Sequence, residues 1–289
     1  MRPGSRIRKI NTRISTYHDG LMAMTGIEAQ IRKLQQSIRA QKQPALQDTT
    51  GKTARCTRCG DTGIISSGDV AWICSCQRQA LRLQQQEKMA PELRDCSFEG
   101  FRADYYDGRH RERALAAQLA ARQFSHDYIL KRSSQGIMLT GDVGAGKTYL
   151  AAAIANDLLA QGVLAQFLVV PEFLDELRAA LLHNNGYSHE ADDVALLGSI
   201  RQVDVLVLDD LGAHNYTPWT CNKLYSLLNY RLNYQLPVII TTNLKMSELD
   251  EYLGERTTSR IVQMCRIYRL TVTKDIRHLK SQAKVKQVE

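Results

Sequence analysis

A glycine-rich segment at residues 141–148 contains the clearest chemistry in the sequence. It matches the phosphate-loop pattern G-x-x-x-x-G-K-[ST] at Gly141, Gly146, Lys147 and Thr148, and Gly144 and Ala145 lie within the same loop. Glycines let the backbone close around a phosphate, successive N–H groups point inward, and a helix that begins there adds partial positive charge. We therefore expect this segment to bind a nucleotide, with Lys147 on the β- and γ-phosphates and Thr148 on Mg²⁺. A glycine-rich turn that matches the pattern by chance is the alternative.

Two acids and an amide follow two apolar segments further along the chain. Asp209 and Asp210 directly follow residues 203–208, and Asn243 directly follows residues 238–242. Ligands of open α/β sheets bind at the carboxyl ends of the strands. We expect Asp209 to hold Mg²⁺, Asp210 to orient or activate an attacking water, and Asn243 to hydrogen-bond the γ-phosphate or that water. A helix N-cap pair and a strand-end turn are the competing interpretations.

Four of the seven cysteines form two tight pairs, which are Cys56 with Cys59 and Cys74 with Cys76. A hairpin between the pairs would bring them together, and four thiolates are a usual ligand set for Zn²⁺. A module this short cannot bury enough surface to fold without a metal. We expect zinc, with an iron–sulfur cluster and metal-free thiols as alternatives. We expect the remaining cysteines, Cys96, Cys221 and Cys265, to be small buried apolar residues.

Strands and helices must alternate to position these residues. From about residue 95 the pattern predicts strands at 136–140, 166–170, 203–208, 238–242 and 266–272, and helices at 147–160, 172–183 and 218–233. Strands separated by helices pair in parallel, so the fold class is α/β, a parallel sheet flanked by helices on both sides. A short helix at 82–94 and a solvated basic helix at 274–286 are also expected.

Composition and charge limit the class of protein. The 289 residues are 44% hydrophobic and 24% charged, and the net charge of +8 favours an anionic partner. The sequence shows neither a 20-residue apolar span nor a secretory signal, so we expect a cytoplasmic protein with no membrane partner. The paired cysteines fit a reducing compartment.

Charge and spacing also divide the chain. Residues 1–50 hold nine Lys/Arg against three Asp/Glu, and 21–40 have the spacing of an amphipathic helix. We predict a basic helical segment at 1–50, a zinc-binding module and linker helix at 51–94, and the nucleotide-binding domain at 95–289.

Several motifs together resemble one family. The phosphate loop, Leu206–Gly212, Thr241–Asn243 and Gly254–Arg260 are similar to the AAA+ ATPases of the DnaC/DnaI group, the bacterial and phage replicative helicase loaders. The segment 96–101 resembles the lead-in of that group. The likeness covers roughly residues 95–280, and it extends to the related IstB-type transposition helpers.

The resemblance implies roles for further residues. It implies that the nucleotide is ATP, that Asn243 is the sensor-1 residue, and that Arg260 is an arginine finger that reaches the ATP of a neighbouring subunit. Arg256 would lie near the same interface, and Arg277 matches the sensor-2 arginine in an uncertain register. Without the resemblance, Arg256 and Arg260 indicate a solvated helix face.

Two features depart from the family pattern. The second acid is Asp210 where Glu is common in AAA+ proteins, which predicts weak or water-bridged hydrolysis. Only 17 residues follow Val272, so we expect no helical lid over the nucleotide.

The resemblance implies an ATP-dependent loader of a replicative hexameric DNA helicase. It would self-associate through the ATP site, hold the helicase with its N-terminal region and contact single-stranded DNA. The alternatives are an IstB-like transposition helper ATPase and a zinc adaptor with a degenerate ATPase.

Overall fold

The computed structural model of the protein describes residues 56–67, 70–183, 200–201, 203–213 and 216–285. They all belong to one compact unit that begins at Arg55. The predicted basic helix within residues 1–50 lies outside the described ranges. Among the helices that are described, none combines the length and the apolar character needed to cross a membrane.

The described chain begins with a hairpin and continues as alternating helices and strands. The strands are β1 (Ile64–Ser67), β2 (Val70–Ile73), β3 (Gly136–Gly141), β4 (Ala165–Val169), β5 (Val205–Asp209), β6 (Val238–Thr242) and β7 (Cys265–Leu270). The helices are α1 (Ser75–Lys88), α2 (Pro91–Arg94), α3 (Gly108–Lys131), α4 (Lys147–Ala160), α5 (Val170–His183), α6 (Pro218–Asn233), α7 (Met246–Leu253), α8 (Glu255–Met264) and α9 (Ile276–Val285).

Strands β3 to β7 form a parallel sheet in the order β4-β5-β6-β3-β7. Leu208 pairs with Ile240 and Met138 pairs with Ile240, so the carboxyl ends of β5, β6 and β3 lie side by side. One apolar cluster packs α3 and α4 on the first face, and a second packs α5, α6 and α8 on the other. The α/β fold with helices on both sides is confirmed.

Most predicted elements lie where the sequence placed them. Helices 147–160 and 218–233 and strand 238–242 have the predicted bounds, and the other strands shift by one or two residues. The prediction of a single helix at 82–94 was wrong. The chain is already helical from Ser75 and breaks after Lys88, because Pro91 keeps Ala90 extended and begins a new helix.

Helix α3 was not predicted. Its buried face is built mostly from small residues, at Ala114, Ala117 and Ala121, followed by Phe124 and Tyr128. The spacing of three and four residues is helical, but alanine gives a weak hydrophobic signal in the sequence.

A fully buried arginine joins α6 to the starts of β5 and β6. The Arg231 guanidinium donates hydrogen bonds to the carbonyls of Val203 at 3.1 Å, Asp204 at 3.3 Å and Pro237 at 2.8 Å. It also donates to the carbonyls of residues 200 and 201. Burial lowers the pKa of Arg231 to about 10, so it remains charged at neutral pH. These bonds provide donors for the backbone carbonyls just before β5 and β6, two central strands of the sheet.

We predict that Arg231→Met destabilises the protein. The change leaves buried carbonyls without a donor, at roughly 1–3 kcal/mol each, so the free energy of unfolding should fall by about 3 kcal/mol or more. Urea denaturation followed by circular dichroism measures it. The exposed Arg256 is the control, because Arg256→Met should change stability by less than about 0.5 kcal/mol. Equal denaturation midpoints for the two variants would contradict the role of Arg231.

Candidate nucleotide and metal sites

The phosphate loop connects β3 to α4, as predicted. Two of its glycines are in tight surroundings. Gly141 has φ 128°, and a Cβ there would overlap the carbonyl of Leu270. Gly144 has φ 70°, and a Cβ there would overlap the carboxylate of Asp275. The loop is therefore glycine-rich for packing as well as for closeness to a ligand.

Lys147 lies at the base of this loop and is buried. Its ammonium donates hydrogen bonds to the carbonyls of Gly141 at 3.0 Å and Asp142 at 2.7 Å, and to Asn243 Oδ1 at 2.6 Å. Burial lowers the pKa of Lys147 to about 8, and the charges of Asp210, Asp142 and Asp209 oppose that shift. These three acceptors compensate the burial of the ammonium.

The two acids and the amide meet at the carboxyl edge of the sheet. Asn243 Nδ2 donates to Asp210 Oδ1 at 3.1 Å, so Asn243 connects Lys147 to Asp210. Asp209 is buried, and burial raises the pKa of its carboxyl, while hydrogen bonds from Thr241 and Thr148 lower it. The structure thus brings together Lys147, Thr148, Asp209, Asp210 and Asn243.

The helix N-cap interpretation of the two aspartates is wrong. Asp209 is the last residue of β5, and the next described helix is α6, which Thr217 caps. Asp210 has a left-handed backbone, with φ 58°, which Asp tolerates better than most residues.

Helix α9 begins against the phosphate loop. The N–H of Ile276 donates to the carbonyl of Gly144 at 3.2 Å, and Asp275 contacts the same glycine. Arg277 is close enough for its charge to lower the pKa of Lys147, and its Nε lies 3.9 Å from Asp275 Oδ1. The candidate sensor-2 arginine therefore lies beside the loop.

Tyr106 also contacts the phosphate loop, although no sequence motif indicated it. Its buried hydroxyl donates to the carbonyl of Ala145 at 2.8 Å. Together with Phe101 and Tyr149 it lines a cavity of about 30 Å³ that borders Gly146. The hint in the sequence was the aromatic-rich segment 98–106 ahead of the loop.

Arg260 lies near the amino ends of the strands, on the side of the sheet opposite to the phosphate loop. It lines a cavity of about 500 Å³ with residues 133–135, which precede β3, and with Gln235 and Leu236, which precede β6. The length of β3, roughly 17 Å, therefore separates it from the phosphate loop of its own chain. Its Nη1 donates to Gln263 Oε1 at 3.3 Å, and no carboxylate in the described part of the chain pairs with it.

The four paired cysteines converge on one point. Their sulfurs all lie within 4.8 Å of one another, with 3.8 Å between Cys56 and Cys74 and 3.4 Å between Cys59 and Cys76. A tetrahedral zinc with bonds of about 2.3 Å spaces its sulfurs by about 3.8 Å, so the cluster fits that ion. A left-handed Gly60 turns the chain behind Cys59.

The local backbone favours thiolates at Cys56 and Cys74. Cys74 caps α1, where the helix dipole stabilises negative charge, and the backbone N–H of Cys76 lowers the pKa of Cys74. Hydrogen bonds with the sulfurs of Cys59, Cys56 and Cys74 instead raise the pKa of Cys76 to about 12. Backbone N–H groups of Cys59 and Arg58 lower the pKa of Cys56 to about 6. Among the other cysteines, Cys96 and Cys265 are buried as predicted, whereas Cys221 is half-buried.

Metal analysis of the purified full chain tests the cysteine cluster. We expect one zinc ion per chain and its loss in Cys76→Ser, because three thiolates leave the coordination incomplete. Cys221→Ser is the matched control and should retain the metal, since that sulfur lies outside the cluster. Iron with visible absorption, or zinc that survives Cys76→Ser, would overturn the assignment.

Comparison with known proteins identifies relatives of two kinds. The replicative helicase loader DnaC of Escherichia coli (strain K12) is 27% identical over 188 residues, which cover 64% of this chain and 71% of DnaC. The putative ATP-binding protein of insertion sequence IS1162 from Pseudomonas fluorescens is 32% identical over 151 residues, covering 52% of this chain and 57% of that protein.

A solved structure has the same fold. The crystal structure of DnaI superposes with a TM-score of 0.51 at 26% identity, over 66% of this chain and 99% of the other. This likeness confirms the fold as that of an AAA+ ATPase.

A family model described as IstB-like ATP binding protein matches residues 75–282, which include the phosphate loop, both acids and Asn243. Because this match covers well over half of the sequence, the chain belongs to the IstB-like ATP binding protein family.

Proposed function

We propose that the protein binds and hydrolyses ATP with Mg²⁺ at the carboxyl edge of its sheet. The observation that carries this proposal is the hydrogen-bonded connection from Lys147 through Asn243 to Asp210. Lys147 holds the β- and γ-phosphates, and Thr148 and Asp209 hold Mg²⁺. Asp210 orients the attacking water, and Asn243 contacts the γ-phosphate or that water. When bound, Mg²⁺ offsets charge on the phosphates.

The remaining contacts to ATP come from both sides of the loop. Arg277 at the start of α9 approaches the phosphates of its own chain. On the other side of the loop, Phe101, Tyr106 and Tyr149 border Gly146. Because Arg260 lies at the other edge of the sheet, it serves the ATP of an adjacent copy, where its guanidinium stabilises charge in the transition state. Hydrolysis then depends on self-association.

Subunit mixing tests the adjacent-copy role of Arg260. Lys147→Ala chains lack the phosphate ligand but keep Arg260, and Arg260→Ala chains keep the ATP site. Each alone should hydrolyse ATP at least about 100-fold more slowly than wild type with single-stranded DNA present, because finger arginines contribute factors of 10³–10⁵. An equimolar mixture should recover activity.

The control for this mixture replaces the Lys147→Ala chains by a Lys147→Ala/Arg260→Ala double variant, which should give no recovery. A mixture no more active than its components would refute the adjacent-copy role.

We propose that this ATPase loads a replicative hexameric DNA helicase in the cytoplasm, with hydrolysis as a switch. Support comes from the likeness to DnaC over 188 residues and from the structural likeness to DnaI. The N-terminal region, with the basic segment and the zinc-bound cysteine module, contacts the helicase. The AAA+ assembly contacts single-stranded DNA through basic residues on its inner face.

A transposition helper ATPase is the second candidate. The insertion-sequence relative and the family match favour it. The cysteine module ahead of the ATPase domain supports the loader instead, because such helpers usually begin with a different helical region.

Co-elution separates these two functions. We expect the full chain with ATP to form a stoichiometric complex with the replicative helicase of its host on size-exclusion chromatography, and none with a transposase of the same host. Cys76→Ser should weaken the complex, and Cys221→Ser should leave it intact. Co-elution with the transposase in place of the helicase would support the second candidate.

A further inference from the structure

Thr241, near the end of β6, contacts both aspartates of the candidate site. Its hydroxyl donates a hydrogen bond to Asp209 Oδ1 at 2.6 Å and accepts one from the N–H of Asp210 at 2.9 Å. Its carbonyl accepts the N–H of Leu211 at 2.8 Å. The side chain is 1% exposed, so these bonds are shielded from water.

The sheet register explains this contact. Leu208 pairs with Ile240, so the next residues, Asp209 and Thr241, are neighbours on adjacent strands. The chain turns sharply after Asp209, because Asp210 has a left-handed backbone with φ 58°. A left-handed conformation at a non-glycine residue needs support from its surroundings. Thr241 supplies this support through one hydrogen bond with each of Asp209, Asp210 and Leu211.

We propose that Thr241 is a positioning residue for ATP hydrolysis. One hydroxyl fixes the direction of the Asp209 carboxylate, which holds Mg²⁺. The same hydroxyl holds the peptide before Asp210, so that the Asp210 side chain meets Asn243. This inference rests on the proposed ATPase activity, and it assigns to Thr241 a role that the phosphate-loop and acidic motifs do not include.

Thr242 provides a matched control on the same strand. It is also a fully buried threonine, and successive side chains of a strand point to opposite faces. Its hydroxyl accepts the N–H of Leu244 at 3.1 Å and contacts neither aspartate in the described bonds. A purely structural requirement for a buried threonine would affect both positions alike.

The decisive comparison is Thr241→Ser with Thr241→Ala, because both lose the methyl group and only the second loses the hydroxyl. ATP hydrolysis by the full chain is measured against Mg²⁺ concentration with single-stranded DNA present, and ATP binding without metal is measured by fluorescence of a labelled nucleotide. Groups that orient metal ligands typically contribute 10- to 100-fold.

For Thr241→Ala we expect kcat to fall roughly 10- to 100-fold and the half-saturating Mg²⁺ concentration to rise about tenfold, with metal-free ATP binding within about twofold of wild type. Thr241→Ser and Thr242→Ser should each stay within about threefold of wild type. Melting temperatures by circular dichroism show that the variants are folded. If Thr241→Ala does not fold, Thr241→Val, which keeps the volume and loses the hydroxyl, replaces it.

Two results would overturn the inference. The first is a folded Thr241→Ala or Thr241→Val whose kcat and Mg²⁺ dependence stay within threefold of wild type. The second is a loss in Thr242→Val equal to that in Thr241→Val. Failure of the proposed function is distinct, because wild type and Lys147→Ala would then consume ATP at the same background rate.

Discussion

The ammonium of Lys147 is the charge around which the carboxyl edge of the sheet is organised. It is buried, and water cannot solvate it, so it requires acceptors from the protein. Two are carbonyls of the phosphate loop, and the third is the amide of Asn243, which follows the neighbouring strand β6. These bonds draw the loop after β3 toward the end of β6. Asn243 extends the connection to Asp210 after β5, so three adjacent strand ends share one polar network.

This network needs the parallel sheet behind it. Strands β5 and β6 are buried along their whole length, and their apolar side chains fill the clusters on both faces. In the observed register, Leu206 pairs with Val238 and Leu208 pairs with Ile240. Arg231 ties the opposite ends of the same two strands to α6. Apolar packing therefore holds these strands from both faces, and buried polar groups provide hydrogen bonds at their ends.

The four clustered cysteines are joined to this core through helix α1. Helix α1, which begins at the second cysteine pair, contacts α4 and β4. Arg82 on α1 donates to the carbonyl of Leu159 at 3.2 Å, at the end of the helix that begins with the phosphate loop. A guanidinium on the last carbonyls of a helix also offsets its dipole. The cysteine module is thus seated against the helix that carries Lys147 and Thr148.

Local signals let the sequence predict the elements that carry the motifs. The glycines and Lys147 mark the start of α4, and Pro218 marks the start of α6, so both helices have the predicted bounds. The apolar runs of β5 and β6 also predict where those strands end, and so they predict that Asp209 and Asn243 lie close together. What could not be predicted depends on three-dimensional neighbours. Arg231 looks like any helical arginine in the sequence, and α3 is hidden by its alanines.

Asp210, the second acid, shows how sequence and structure together explain one residue choice. In the sequence, Asp210 is a departure from the Glu common in AAA+ proteins. In the structure, its backbone is left-handed, a conformation that the short side chain of Asp tolerates through local hydrogen bonds. Asn243 donates to its carboxylate, so the shorter side chain still reaches Asn243 at the end of β6. The sharp turn after β5 therefore favours Asp at this position on backbone grounds, independently of the reaction.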